Sequence, residues 1–432
     1  MIFSLKKIKL LIILFCLSFA LPCFGATKQV MVFGTDDSID ATSTEYFPLS
    51  PPGSAAWSTT EYTVVWPASG TITDLFVELD SSTGAGNTSQ WTIRVNKATP
   101  GTPTSASCTN ASACSDSTNA TSITAGDEVS IEQIPTSSPA TSDPSWSIVW
   151  NPTTADYTVL VGSTMANTLG TSGTQYLPMH GIRAIDTTAF DVSTLFPTGG
   201  TLRDLYVELG TDPGDGTSRT FAFGTVDCTV TGSAGGTNKT CNSGADTQAV
   251  TAGQAYTLTS TVSGTPAASI ASYGVVFVPT TSGQFTFHGT SDDALGTADE
   301  FTYLVTAGTG AGHWTGTTTI RENLAGVAFT MKNIYFESAV DVGPDTDLYN
   351  LFFRNNASNT TLTCQITGTG AGPWQCNFTE DQAVTSGQEL SVAVTDDGTT
   401  PAGGAARWAL TGFITPTGGA PAAVVDNGGG IF

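Results

Sequence analysis

The sequence has 432 residues, with 37 acidic against 14 basic side chains and only 12% of residues charged. A surface this acidic repels nucleic acid and anionic membranes, so neither is expected as a partner. Disorder is excluded too, because 39% of residues are hydrophobic and they fall in short regular runs.

Residues 1–25 read as a secretory signal peptide. Lys6, Lys7 and Lys9 precede an apolar run from Leu10 to Ala20 that is too short to span a bilayer. A turn at Pro22 then leads to Cys23-Phe24-Gly25, with small residues suited to cleavage after Gly25. Lipoprotein anchoring at Cys23 is the rival reading, but Ala20-Leu21-Pro22 lacks the Leu and the small residue of a lipobox. The remainder keeps 11 of the 14 basic residues and is expected to be secreted, at the cell surface, without membrane insertion.

Three landmarks then recur in the same order at a period of ~130 residues. "TITDLFVELD" (71–80) returns as "TLRDLYVELG" (201–210) and "MKNIYFESAV" (331–340). "TSITAGDEVSIEQI" (121–134) returns at 248–261 and 382–395, carrying Gly126, Gly253 and Gly387. "SWSIVWNPTT" (145–154) returns at 272–281 and 409–418, ending on Pro152, Pro279 and Pro416. The chain divides into modules at 26–153, 154–281 and 282–432. In module 1, alternating runs predict strands near 29–33, 44–48, 61–66, 72–79, 90–96, 118–123, 128–134 and 145–151. Eight short antiparallel strands per module predict an all-β protein of three tandem β-sandwich modules, jelly-roll or immunoglobulin-like. The "AGDEVSI" stretch (125–131) resembles a segment of C1q/TNF-like and tail-fibre jelly rolls, which implies the first of these topologies.

Six cysteines fall as one close pair per module: Cys108/Cys114, Cys228/Cys241 and Cys364/Cys376. In an exported chain this arrangement predicts three disulfides, one hairpin staple per module. Zinc is disfavoured because no C-x-x-C spacing and no nearby His accompanies them.

Signals for catalysis are few. His180, His288 and His313 occupy unrelated positions in their modules, and neither G-x-S-x-G nor H-E-x-x-H occurs. The acids Glu78, Glu208 and Glu337 repeat in every module, which suits a structural role better than a single glycosidase acid. No enzyme activity is expected. Trp374 and Trp314 lie in Gly-rich stretches and are the candidates for stacking on a sugar ring, whereas Trp66 and Trp150 read as core, with Phe196 and with Phe277 and Ile414 as their counterparts. No cofactor is expected; calcium is the one ion that acidic loops at 34–40, 211–216, 290–300 and 343–347 could hold.

The passage "KQVMVFGTDDSIDATSTEYFPL" returns as "YTVLVGSTMANTLGTSGTQYLPM" and "QFTFHGTSDDALGTADEFTYLV". Each later copy follows a strand ending in Pro, which predicts hairpins between "SIVWNP" and "YTVLVG" and between "GVVFVP" and "QFTFHG", with "LTGFITP" and "PAAVVD" as a third. On that reading Val30, Met31, Val32 and Phe33 form a strand without its partner, and Val424 and Val425 end a hairpin without its sequel. Together they would be the subunit-interface strands of a head-to-tail homopolymer. The sequence therefore predicts an exported bacterial surface protein, structural or adhesive, assembling into a filament or surface layer. A glycan-binding adhesin is the first alternative and a virion or tail-fibre component the second; the signal peptide speaks against the latter.

Overall fold

The computed structural model describes residues 28–51, 57–97, 107–110, 112–182, 185–296, 299–308, 314–316, 322–340, 348–367, 374–396 and 404–414. Among these, regular structure is β apart from one 3-10 turn at Phe190–Val192. Three sandwiches span 29–152, 158–279 and 284–413, joined by linkers 153–157 and 280–283.

Module 1 shows the plan. Its strands are β1 (Gln29–Gly34), β2 (Glu45–Pro48), β3 (Val64–Val65), β4 (Gly70–Leu79), β5 (Thr88–Val95), β6 (Ser107–Asn110), β7 (Ala113–Asp116), β8 (Thr121–Ile123), β9 (Glu128–Thr136) and β10 (Pro144–Pro152). One sheet runs β1-β10-β4-β7, with β8 extending β7 along β4. The other runs β2-β9-β5-β6, with β3 beside β2 along β9. First strand pairs with last, and successive pairs nest inside, which is the jelly-roll order and not the immunoglobulin one. Both other modules repeat it: Thr158–Ser163 pairs with Ala271–Pro279, and Gln284–Ser291 with Ala406–Phe413.

The expected hairpins across the module boundaries are therefore not formed. β10 pairs with β1 and β4, and each later copy of the opening passage pairs with the closing strand of its own module. The linkers pass from module to module without strand pairing, and they meet. Asp156 in the first linker accepts from Ser282 Oγ at 2.9 Å and from the Gly283 amide at 3.1 Å in the second. Nor is β1 without a partner, since all six of its residues are registered on β10 and buried. Met31 and Phe33 enter the core of module 1, where Phe33 stacks on Trp146 with ring centroids 5.6 Å apart. Val30 and Val32 turn the other way, into the core of module 3. Val424 and Val425 lie outside the described residues.

The repeat is also displaced in the last strand of module 3. Glu78, Glu208 and Glu337 pair with Ser145, Ser272 and Arg407, so the counterparts of Trp146 are Tyr273 and Trp408. Trp150 then corresponds to Phe277 and Gly412, not Ile414. The proline anchor misaligns this strand by two residues because the inward aromatic, not the proline, fixes the register. The shared bulge in the β4 counterparts is local chemistry: Asp74, Asp204 and Asn333 all have φ near +53°, a conformation that Asp and Asn tolerate.

The structure joins Cys108–Cys114, Cys228–Cys241 and Cys364–Cys376 with Cα separations of 5.8, 5.7 and 5.7 Å. They are not staples within one ladder. Cys108 sits on β6 of one sheet and Cys114 on β7 of the other, so each bond bolts the two sheets at the edge farthest from β1. The same holds for the other two pairs.

Two outcomes follow. Converting Cys228 and Cys241 together to Ser should lower unfolding stability by about 2–3 kcal/mol in the chain-entropy account, measured by denaturant titration without reductant. Deleting residues 29–34 should unfold module 1, because four buried side chains at about 1.5–3 kcal/mol each approach a domain's whole stability. A deletion protein that keeps the near-ultraviolet signature of the Trp146 cluster would contradict this assignment.

Candidate functional site at the seams between modules

The three sandwiches close into a ring about a pseudo-three-fold axis. β3 of module 1 packs on Thr158–Ser163 and Ala271–Pro279 of module 2. Its counterpart Thr194–Leu195 packs on Gln284–Ser291 and Ala406–Phe413 of module 3, and Asn323–Ala325 packs on β1, β10 and β4 of module 1. These contacts define seam I (modules 1 and 2), seam II (modules 2 and 3) and seam III (modules 3 and 1).

One hydrogen bond recurs at each seam. Ser272 Oγ donates to the Thr63 carbonyl at 2.7 Å in seam I, and Ser145 Oγ donates to the Glu322 carbonyl at 3.0 Å in seam III. In seam II, Arg407 takes the serine's place and donates to Ser193 Oγ. The landmark turns also serve the seams. Gly126 and Gly253 have φ of +94° and +80°, and a Cβ there would lie 3.6 Å and 3.3 Å from the rings of Tyr206 and Tyr335 in the next module. At Gly126 and Gly253 the turn thus does two jobs, reversing the chain and seating the neighbour's aromatic, whereas a Cβ at Gly387 would meet nothing within 4 Å.

The repeated glutamates face these seams, and their surroundings differ. In seam I, Glu208 is raised by burial and by Glu128, while Lys97 and Lys239 act against the shift; Lys97 pairs with Glu128 at 2.9 Å. In seam II, Arg407 holds Glu337 at 2.7 Å. In seam III a cavity of about 140 Å³ is lined by Glu78, Asp80, Asp143, Glu322 and Glu389, with no basic side chain among its described lining. Burial, a hydrogen bond to Glu389 and the Glu389 charge push Glu322 up to about 8, against a small opposing pull from Arg354.

Along the axis the three first strands meet. They contribute Val30 and Val32, Val159 and Val161, and Thr286 and His288, around a void of about 30 Å³. Gln29 ties β1 to Val159 with two hydrogen bonds of 3.0 and 2.8 Å. One ring of positions repeats here as well: Ser50, His180 and Val305 each follow a Tyr46–Leu49-like run. Ser50 Oγ donates to the Val161 carbonyl at 2.6 Å, and His180 Nε2 donates to the His288 carbonyl at 2.9 Å. The Val305 side chain has no donor, and its amide donates to Asn323 Oδ1 at 3.0 Å.

The residues singled out from sequence scatter over this frame. Val30, Met31, Val32 and Phe33 reach the axis as core and not as a free edge. Trp314 is buried, its ring 5.2 Å from that of Trp408, so it presents no face to a sugar. Trp374 is half-buried beside the Cys364–Cys376 bond and packs on the module 3 core. The acidic loops organise themselves: Asp212 accepts from the amides of Gly214 and Asn238 at 2.7 Å each. Among the described residues no cluster of three or more His, Cys, Asp or Glu side chains is placed to hold a metal ion. His313 and loop 343–347 lie outside the described residues. Nothing in the sequence pointed to the His180–His288 pair, because the two lie 108 positions apart and only ring closure brings them together. No protein-family model and no curated protein matches the chain.

The lone acidic seam has a measurable consequence. A carboxyl held at about 8 in the folded protein, against 4.5 ordinarily, binds its proton more tightly when folded. Stability is then lost as pH rises from 4.5 towards 8. Glu322→Gln should remove that loss and stabilise the protein by on the order of 1–2 kcal/mol at pH 8.5, after allowance for solvent screening. Denaturant titrations of the two proteins at about pH 3.5, below the ordinary value, should coincide.

Proposed function

We propose that this chain is an exported surface protein of structural or adhesive type, whose head is a trimer of jelly rolls fused into one polypeptide. The observation that supports this reading most directly is that all three seams are completed within a single chain. Three disulfides fit a non-reducing location, and no helix among the described residues is long and apolar enough to cross a membrane. Three modules joined in one polypeptide cannot separate from one another on dilution, which suits a protein working outside the cell at low concentration. It also presents three similar loop faces at once, so a weak ligand contact repeated on each gains avidity.

Assembly by exchange of Val30–Phe33 has no place in this proposal, because that strand already fills a core. Contacts between whole rings, through faces away from the axis, are the form of self-association that remains open to a surface layer. Antibody labelling of intact cells, with thiol counting on the recovered protein, tests the proposal. Surface label or release to the medium, with all six cysteines oxidised, is expected; recovery from the cytoplasm with free thiols overturns it. Sedimentation at micromolar concentration should give the mass of one chain in a closed particle.

A further inference from the structure

We propose that seam II is an acid-opened latch, in which the buried His180–His288 pair holds modules 2 and 3 together while neutral and releases them when protonated. The two rings lie 5.0 Å apart and are almost wholly buried. Each donates to a carbonyl of the opposite module: His180 Nε2 to His288 O at 2.9 Å, and His288 Nδ1 to Leu195 O at 2.7 Å. These donors fix both tautomers, leaving His180 Nδ1 and His288 Nε2 as acceptors for Thr194 Oγ1 at 3.3 Å and Thr286 Oγ1 at 2.7 Å. A proton added to either acceptor nitrogen puts a donor where a hydroxyl donor already points, and a charge where the surroundings are apolar.

No group that faces the rings, among the described residues, carries a compensating charge. From module 1 come Gln29, Val30, Val32 and Pro51; from module 2, Val159, Val161 and Phe196, whose ring lies 5.1 Å from that of His288; from module 3, Thr286 and Val305. Asp191, Glu337 and Arg407 occupy the same seam, with Asp292 beside Asp191. None of these four is a hydrogen-bond partner of either ring or a charge that shifts it. Burial, first of all, holds His180 down at about 4, and burial together with the neighbouring imidazole holds His288 well below its ordinary value.

The pseudo-symmetry isolates the device. Ser50 and Val305 stand where His180 does, and Val32 and Val161 stand where His288 does, so seams I and III have no titratable group at these positions. Sign and size follow from linkage. A histidine that titrates at about 4 when the seam is closed and at 6.5 when it is open destabilises the closed state as pH falls through 6.5. His180 alone raises the opening equilibrium on the order of 100-fold between pH 7 and pH 4. His288 acts in the same direction.

Hydrogen exchange followed by mass spectrometry on the full chain, corrected for intrinsic rates, reads each seam separately. Between pH 7 and pH 4, residues 193–196 and 284–291 should lose protection while 63–66 and 322–325 keep theirs. His180→Val with His288→Val, which copies residues native to the other seams, should preserve protection in seam II at pH 4. Equal protection of the wild-type seam at both pH values overturns the latch. So does an equal loss at all three seams, or a double variant that opens as readily as wild type. Should that variant not fold, proton NMR titration of the wild type decides: both rings neutral down to below pH 5 supports the latch, and a ring titrating near 6.5 refutes it.

Discussion

The pairing of each module's first strand with its last, and the burial of both faces of that first strand, is the constraint from which the rest of the structure follows. One face of β1 fills the core beneath its own sheet. The other carries Val30 and Val32, which no surface of module 1 covers; they are covered only because modules 2 and 3 bring their own first strands to the same axis. A single sandwich would leave this apolar strip exposed to water, at a cost of ~25 cal/mol per Å². Three sandwiches around an axis remove it from water together. Ring closure and module folding are thus one packing problem, and the short linkers add only the certainty that the partners are present.

The seams show how a repeated geometry carries unrepeated chemistry. The backbone arrangement is common to all three, down to the hydrogen bond that Ser272, Ser145 and Arg407 make at the same place. The charges laid over it differ: lysines in seam I, an arginine in seam II, and carboxylates in seam III. The axis differs in the same way, with valines from two modules and Thr286 and His288 from the third. Three copies of a module need identical shape to close, but nothing in closure requires identical polarity. Sequence divergence therefore collects in polarity, and the seams acquire separate responses to pH.

The disulfides belong to the opposite edge. Axis packing fixes each sandwich along β1 and β2, whereas β6 and β7 are remote from it. A covalent bond between the sheets there closes the side that burial serves least.

Sequence by itself determined the local layer of this protein. Alternation gave the strands of module 1 to within a few residues, the repeat pointed to a recurring unit, and Cys spacing gave the pairing, since each of these depends on residues close in the chain. It missed the strands β6 and β7, where Ser, Thr and Ala hide the alternation, and it misplaced the last strand of module 3 by trusting a proline. The partner of β1 was beyond its reach, because Gln29 and Trp150 meet across 120 intervening residues and apolar alternation names a buried face without naming what covers it. His180 and His288, unremarkable in two separate modules, became a pair for the same reason. Only the tertiary structure decided these contacts, since closing a ring brings together residues whose separation in sequence carries no information about their separation in space.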